Sequence, residues 1–325
     1  MIKLNRARRA LIQGGLSFAL VAGACTSVQA QSDKVVKFIV PFAAGSYTDN
    51  VARIIMPGIA ERLGQTVIID NKPGANGIIG ADFVAKAAPD GLTVLVGGAS
   101  VNVVNPNVYK TLPYDPVRDL LPAARIGLLP FMLVVNPSVA VNNVAELIAY
   151  AKKNPGKLSY GTPNAATLVG METFKRGAGV DITSVPYKAS PQAMMDLVGN
   201  QIQVIISDFA VIMPQVKAGK ARALAVTMPK RSALLPDVPP LADTVKGFDI
   251  SAWTGLLLPG KTPPAVANRL YEAMRATLAL PEIKGKLASI GFDIQPMGPE
   301  EFGPYLRDDI KRWNTLVKEA GIQPE

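Results

Sequence analysis

The sequence predicts an α/β fold built as two lobes, and three observations support it. Apolar runs of strand length alternate along the chain with segments of helical periodicity. About 295 residues follow an N-terminal leader, which is enough chain for two cores. The C-terminal part is mainly helical and too poor in strands to form a lobe alone, so we expect it to pack back on the first lobe.

Residues 1–30 predict a cleavable secretory signal. Four basic residues precede an apolar run from Leu11 to Ala24, and the small-residue stretch from Val28 to Ala30 is typical of a cleavage site. The apolar run is too short to span a membrane. The pair Arg8–Arg9 leaves both general and twin-arginine export open. We therefore expect a soluble, exported protein cleaved near Ala30.

Composition excludes several classes of function. The leader holds four of the 34 Lys and Arg and none of the 25 Asp and Glu, so 30 basic and 25 acidic residues remain. This excess of five positive charges is spread out and does not indicate nucleic-acid binding. The chain has no histidine, and its one cysteine, Cys25, lies in the leader. The usual zinc sites and the His-dependent catalytic arrangements are thereby excluded, and we expect no catalytic residues.

The stretch from Val35 to Arg53 is the element around which the chain is organised. Its apolar run to Val40 predicts a strand covered on both faces, and Pro41 ends it. Gly45 allows a tight turn, and Ser46 followed three residues later by Asp49 predicts a helix start. A helix start above a sheet suits an anion. An ordinary βα turn without a ligand is the alternative.

The next part of the first lobe predicts further strands and helices. We expect strands from Thr66 to Asp70 and from Leu92 to Gly97, with a helix through Phe83 to Ala88 between them. The glycines of the GANGIIG stretch have G-x-x-G-x-x-G spacing, which argues against a dinucleotide site. A small polar loop that includes Ser100 follows the second strand, at an edge where α/β proteins bind ligands.

The second lobe repeats the order of strand, loop and helix start found between Val35 and Arg53. A strand from Lys157 to Thr162 is followed by the bend from Pro163 to Thr167 and a helix to Arg176. Two such helix starts facing one another would strengthen the case for an anion site. The other elements that we expect, in order, are strand Phe131–Val135, helix Val144–Lys153, strand Ile182–Tyr187, helix Ser190–Val198, strand Ile202–Ile206, a helix to Ala218 and strand Arg222–Val226.

The C-terminal part begins with an apolar stretch, Phe248 to Leu258, that carries Trp253. Three helices are predicted after it, at Ala265–Leu280, Ile283–Ile290 and Pro299–Ala320. Because these helices return to the first lobe, the chain must cross between lobes twice. We expect the crossings near 128–137 and 248–259.

Several motifs together resemble the Bug family, the periplasmic solute-binding proteins of tripartite tricarboxylate transporters. The opening is similar to the family pattern Pro-Phe-x-x-Gly-Gly-x-x-Asp-x-x-x-Arg. The matching residues are Pro41, Phe42, Gly45, Asp49 and Arg53, then Asn71 to Ala75 with Gly77, Val185 to Lys188 with Asp196 and Leu197, Arg222 to Thr227, Leu235 to Pro239, and Trp253 with Gly255 and Pro259.

The resemblance implies a two-lobed Venus-flytrap fold, each lobe a mixed sheet flanked by helices. Residues 31–133 and 250–325 would form lobe 1 and residues 134–249 lobe 2. The implied protein is a monomeric periplasmic receptor without cofactor or metal. It would capture a small carboxylate, either a dicarboxylate or an aromatic carboxylate such as terephthalate, and deliver it to membrane transporter subunits.

The resemblance also implies which residues bind the ligand. In the family, backbone groups and bridging waters of two facing loops hold one carboxylate, and a residue at the position of Asp208 contacts the far side of the ligand. The residues carried over are Phe42, Ala43, Ala44, Gly45, Ser46, Tyr47, Thr48 and Asp49 in lobe 1 with Ser100, and Thr162, Asn164, Ala165, Ala166, Thr167, Ala189 and Asp208 in lobe 2.

This chain departs from the family pattern in both loops. The second glycine of the first loop is Ser46 here and Tyr47 follows, so the loop gains a hydroxyl and a ring that face the pocket or the surface. The second loop is shortened and lacks the histidine that usually ends it. Arg53 is expected to pair with Asp49, four residues before it, and Trp253 to pack in the hinge or core.

Two other functions stay open at this stage. A periplasmic enzyme on the same fold is disfavoured by the missing histidine and cysteine, and turnover of candidate acids would reveal one. A ligand-loaded partner of a membrane sensor has the same sequence signals as a transport receptor, and a pull-down against membrane proteins would separate the two.

Overall fold

The computed structural model describes residues 35–129, 131–231 and 235–324, so the predicted signal at residues 1–30 lies outside them. In chain order the strands are β1 (Val36–Val40), β2 (Val67–Asn71), β3 (Thr93–Gly98), β4 (Leu120–Leu129), β5 (Phe131–Val135), β6 (Ser159–Thr162), β7 (Thr183–Pro186), β8 (Val204–Asp208), β9 (Arg222–Val226), β10 (Ala252–Pro259) and β11 (Asp293–Met297). The helices are α1 (Tyr47–Leu63), α2 (Ile78–Ala85), α3 (Asn105–Val108), α4 (Val144–Lys153), α5 (Ala165–Ala178), α6 (Ser190–Val198), α7 (Phe209–Lys217), α8 (Pro264–Leu278), α9 (Pro281–Ser289) and α10 (Pro299–Glu319).

The strands form two mixed sheets flanked by helices, which confirms the predicted two-lobed α/β fold. The first sheet has the order β11-β4-β10-β3-β1-β2 and the second has the order β7-β6-β8-β5-β9. In the first, β1 runs parallel to β2 and β3, while β10 is antiparallel to β3 and β4. In the second, β6 is parallel to β7 and β8, and β5 is antiparallel to β8 and β9.

Strands β4 and β11 were missed by the sequence analysis. β4 is buried along most of its length, but Pro122, Arg125 and Gly127 interrupt its apolar pattern. β11 is a largely polar edge strand that contains Pro296. An edge strand tolerates proline because one side of its backbone needs no ladder bond. These two strands show how the C-terminal part joins the first sheet.

The chain passes from the first sheet to the second with a single residue between β4 and β5. β5 pairs wholly within the second sheet, so we propose the first boundary between β4 and β5, slightly before the expected one at 133. The return lies between the end of β9 at Val226 and the start of β10 at Ala252. The division of the chain into lobes stays a proposal.

Thr227 joins the two segments of the chain that connect the sheets. Its backbone N–H donates to the Phe131 carbonyl over 2.9 Å, and its carbonyl accepts the Ile250 N–H over 3.1 Å. Its hydroxyl donates to the Ile250 carbonyl over 2.7 Å, and the side chain is fully buried. We call Phe131, Thr227 and Ile250 the hinge junction.

A buried network fixes β10 to α10 beside the hinge junction. The Trp253 indole N–H donates to Asp309 over 2.8 Å, and Arg312 donates to the other oxygen of Asp309 over 2.8 Å. The same Arg312 donates to the backbone carbonyls of Asp249 and Ser251. Trp253 therefore packs in the core beside the hinge, one of the two positions predicted for it.

In the described ranges, no helix combines the length and the apolarity needed to cross a bilayer.

Replacing Thr227 by Val should destabilise the protein, because the buried Ile250 carbonyl loses its hydroxyl donor. We expect the free energy of unfolding to fall by about 1–3 kcal/mol. The slope of this free energy against urea concentration should not change. Thr227→Ser keeps the hydroxyl and should recover most of this loss. Equal urea midpoints for Thr227→Val and the wild type would show that the hydroxyl does not stabilise the hinge junction.

Candidate ligand-binding site

The topology turns the carboxyl edges of the two sheets toward each other. β4 is parallel to β1 and β3, because both β4 and β3 pair antiparallel with β10. β4 therefore ends at the same edge as β1 and β3. β5 begins beside the carboxyl end of β8, where Phe131 pairs with Asp208. The loops after β1, β3, β6 and β8, which carry most of the predicted site residues, thus border the cleft between the lobes.

The first loop is built around the buried carboxylate of Asp49, which is 1% exposed. One oxygen accepts the Gly45 N–H over 2.9 Å and the Arg53 guanidinium over 2.8 Å. The other accepts the Asn71 side-chain amide over 3.0 Å. The same amide also donates to the Phe42 carbonyl over 3.0 Å, so it fixes the beginning of the loop. The predicted Arg53–Asp49 pair is present.

Hydrogen bonding keeps Asp49 ionised. Burial alone would raise the pKa of this carboxyl, but hydrogen bonds from Arg53, Gly45 and Asn71 outweigh it and lower the pKa from its ordinary value. Asp49 is therefore engaged within its own loop. It acts as the support of the loop, because both of its oxygens accept hydrogen bonds from the loop and its neighbours.

The start of α1 leaves backbone donors at the cleft. Ser46 caps the helix by accepting the Asp49 N–H over 3.4 Å. The N–H groups of Tyr47 and Thr48 lie in the first turn, where no intrahelical acceptor exists. Gly45 has a φ of 78° and open space where a β-carbon would be, so conformation and not crowding requires glycine there.

The second loop presents the same kind of donors by a different construction. Asn164 accepts the Thr167 N–H over 3.0 Å, and the Thr167 hydroxyl pairs back with the Asn164 backbone, which completes a capping box. The N–H groups of Ala165 and Ala166 remain in the first turn without an intrahelical acceptor. Two long helices thus begin at the carboxyl edges of the two sheets.

Tyr47 is buried in the site and is not a surface residue. Its side chain is 4% exposed, and its ring lies 6.1 Å from that of Phe292. The hydroxyl has no hydrogen-bond partner among the described residues. Burial, followed by the charges of Asp208 and Asp293, raises the pKa of this phenol well above its ordinary value. The ring is thus held by packing, and its hydroxyl is buried with it.

Asp208 has a structural role that the sequence analysis did not identify. It is the N-cap of α7 and accepts the Val211 N–H over 3.2 Å. It is almost fully buried, and burial raises the pKa of its carboxyl despite hydrogen bonds from Val211, Ser190 and Ser207. A buried N-cap can still accept further hydrogen bonds, because a carboxylate has about four acceptor positions.

The remaining predicted residues differ in what they can offer. Ser100 is half-buried in the turn after β3, and Ala189 is the N-cap of α6. The Thr162 hydroxyl donates to the Val185 carbonyl over 3.3 Å and is thus engaged between strands. Ala43, Ala44 and Gly45 are exposed. In the part of the chain that the structure describes, no three acidic, His or Cys side chains group as metal ligands would.

Three further residues near these loops, Phe292, Asp293 and Asn102, were not among the predicted binding residues, although Asn102 ends the small polar loop that was expected after β3. Asp293 is the first residue of β11, which the sequence analysis did not predict, and Phe292 precedes it. Asn102 is fully buried after β3, where its side chain accepts the Gly98 N–H over 3.2 Å. An asparagine inside the otherwise apolar stretch from Val101 to Val104 was the one signal that could have indicated it.

Known proteins match this chain along almost its whole length. Residues 51–322 match the profile described as tripartite tricarboxylate transporter family receptor. An R. palustris protein solved with adipate is 35% identical and has a TM-score of 0.85, over 89% of this chain and 98% of its own. The periplasmic binding protein BugD is 32% identical with a TM-score of 0.84, over 90% and 99% of the two chains.

A third solved structure is similar to this chain and contains a hydroxylated acid. It is a Rhodopseudomonas palustris protein with bound malate, 29% identical with a TM-score of 0.80, over 87% of this chain and 98% of its own. The fold and the resemblance inferred from the sequence agree with these three structures.

Replacing Asp49 by Asn should loosen the first loop, because an amide offers one acceptor oxygen to three donors. We expect a loss of about 1–3 kcal/mol in the free energy of unfolding at pH 7. Since the pKa of Asp49 is lowered in the folded protein, the stability it contributes is present above the ordinary Asp pKa of about 3.9 and is lost as pH falls through the lower folded value.

The difference between the wild type and Asp49→Asn should therefore shrink when urea unfolding is repeated at successively lower pH. Asp308→Asn is the matched control, since Asp308 pairs with Lys311 and both side chains are largely exposed. It should change stability little at any pH. A pH-independent difference for Asp49→Asn would contradict the role of the charge.

Proposed function

The chain belongs to the tripartite tricarboxylate transporter receptor family, and from this premise we propose that it captures a small carboxylate between its lobes in the periplasm and delivers it to a tripartite transporter. Members of this family are solute-binding receptors and not enzymes. The proposal concerns the ligand, the residues that bind it and the transporter that receives it.

One observation carries the proposal: the two helix starts at the cleft. α1 offers the N–H groups of Tyr47 and Thr48, and α5 offers those of Ala165 and Ala166. Helix starts combine free donors with the positive end of the helix dipole, which suits a carboxylate. Closure of the lobes would bring both sets of donors to one anion. No basic side chain is needed, and Arg53 is already engaged with Asp49.

The similar structures support the class of ligand. Adipate and malate, found in two of them, are small carboxylates. We extend that chemistry to this chain because its own helix starts suit the same group. Phe42 and Ser46, both half-buried at the first loop, would border the ligand.

A neutral analogue should bind much more weakly than its acid. Adipate, malate and benzoate would be screened by thermal shift, where a ligand at 100 times its Kd adds about 2.7 kcal/mol of stability. The best binder and its methyl ester would then be compared by calorimetry. Equal affinities for the acid and the ester would contradict the anion site.

Ala165→Pro tests the second helix start directly. Ala165 is the first residue of α5, where proline fits the backbone but lacks the N–H group. We expect the affinity for the best acid to fall about tenfold or more, since a hydrogen bond to a charged group contributes roughly 1.5–3 kcal/mol. Ala165→Gly keeps the N–H and is the matched control. If the two variants bind alike, this N–H does not hold the carboxylate.

Ligand binding should also close the lobes. The radius of gyration from X-ray scattering should fall when the best acid saturates the protein, because the two segments that connect the lobes can act as a hinge. The methyl ester at the same concentration should leave the profile unchanged. A profile that does not change at saturation would argue against closure of the cleft.

A further inference from the structure

A surface groove lies between α1 and α9, beside the first sheet. Its volume is about 580 Å³, which is within the range of pockets that bind ligands. Ile54 of α1 is half-buried in it, and Ile283 of α9 and Ile290, the residue after that helix, complete an apolar lining. None of the predicted ligand-binding residues lines the groove, so it is separate from the site described above.

The two helices run in opposite directions along the groove. Tyr47, at the start of α1, packs on Phe292, which lies after the end of α9. Gly58, later in α1, lies so close to Thr277 that a β-carbon on the glycine would collide with its side chain, and Thr277 precedes α9. The start of α1 and the end of α9 therefore share the end of the groove that is nearer the cleft.

Charged side chains are divided between the two ends of the groove. Arg53 and Lys286 line the half near the cleft, and Glu61 and Glu282 line the far half. All four residues are exposed. Among the described residues, Arg53 is the one of the four that makes an ion pair. The groove thus has a basic end, an apolar lining and an acidic end.

Arg53 connects the groove to the first ligand loop. Its Nε donates to the buried Asp49 carboxylate over 2.8 Å, and one Nη donates to Asn71 over 3.3 Å. A guanidinium has five N–H donors, and the side chain is 52% exposed, so donors remain for a partner in the groove. Arg53 lies six residues after Tyr47, which is about 9 Å along the helix axis. The basic end of the groove is therefore close to the first helix start.

We propose that this groove is the docking surface for a membrane subunit of the transporter. The segment that it takes has an acidic side chain at the end near the cleft, apolar side chains in the middle and a basic side chain at the far end. The inference rests on the proposed function, because delivery requires contact with the transporter. Complementary charges of this kind fix the register of a partner and speed its encounter.

The charge pattern favours a protein segment over other occupants. A small anion held by Arg53 and Lys286 would leave Glu61 and Glu282 unmatched, whereas an extended segment can match both ends. A second copy related by twofold symmetry would set one groove against the other, and two concave surfaces would leave the space unfilled. A segment docked here also brings the transporter beside the helix start that is proposed to hold the carboxylate.

Site-directed cross-linking locates the contact. The one cysteine of the chain, Cys25, lies in the predicted leader, so an introduced cysteine is unique in the mature protein. Glu282→Cys, labelled with benzophenone maleimide and loaded with the best binder among adipate, malate and benzoate, would be irradiated with right-side-out membrane vesicles of the producing bacterium. We expect a product whose partner mass spectrometry identifies as a tripartite transporter subunit. Glu272→Cys, on α8 and also exposed, is the matched control outside the groove.

Uptake tests whether the charges matter. Purified receptor at limiting concentration would be added to the same vesicles with the radiolabelled acid. Glu282→Gln combined with Lys286→Gln should lower the initial uptake rate at least tenfold and leave the Kd for the acid within twofold, because neither residue lines the cleft loops. Glu272→Gln combined with Arg275→Gln also removes one acid and one base, from an exposed pair outside the groove, and should change neither quantity more than twofold.

The outcomes separate the two proposals. Unchanged uptake by the groove variant, or a cross-link formed only by the control or only with a second copy of this chain, would overturn the docking surface and leave the carboxylate receptor intact. A wild-type receptor that binds the acid without raising uptake would overturn delivery, and this inference with it. A subunit cross-link specific to Glu282→Cys, together with impaired uptake at unchanged Kd, would support the docking surface.

Discussion

The hinge junction is the constraint on which the rest of the structure depends. Thr227 forms hydrogen bonds to both segments that connect the sheets. Its backbone bonds to Phe131 and Ile250, and its hydroxyl also donates to the Ile250 carbonyl. With one residue between β4 and β5, the two sheets cannot separate far or exchange edges. Their carboxyl edges must therefore face each other. The cleft and the position of every loop that borders it follow from this arrangement.

The two helix starts reach the same geometry by different physical means. At the first, a buried carboxylate gathers three donors and a neighbouring arginine keeps it charged. At the second, Asn164 and Thr167 satisfy one another within four residues, and no buried charge is involved. The first construction ties the loop to β2 through Asn71, so its position depends on the sheet. The second is local, and α5 alone determines it.

The sequence analysis succeeded where local patterns decide the structure. The apolar run to Val40, the Ser46 cap and the helix from Val144 to Lys153 all depend on neighbouring residues, and the structure contains each of them. It failed where partners far along the chain decide. β11 is a strand only because β4 offers it an edge, and the buried Tyr47 packs against Phe292, which lies far along the chain. Periodicity within a window carries no signal of such contacts.

The charge distribution of the cleft gives it a direction. Each helix start contributes roughly half a positive charge, and such an end stabilises an anion by about 0.3–1 kcal/mol, or up to about 2 kcal/mol when partly buried. The start of α7 is already compensated, because Asp208 itself caps it. The anion is therefore expected at the starts of α1 and α5 and not at the start of α7, which would orient the proposed ligand in the cleft.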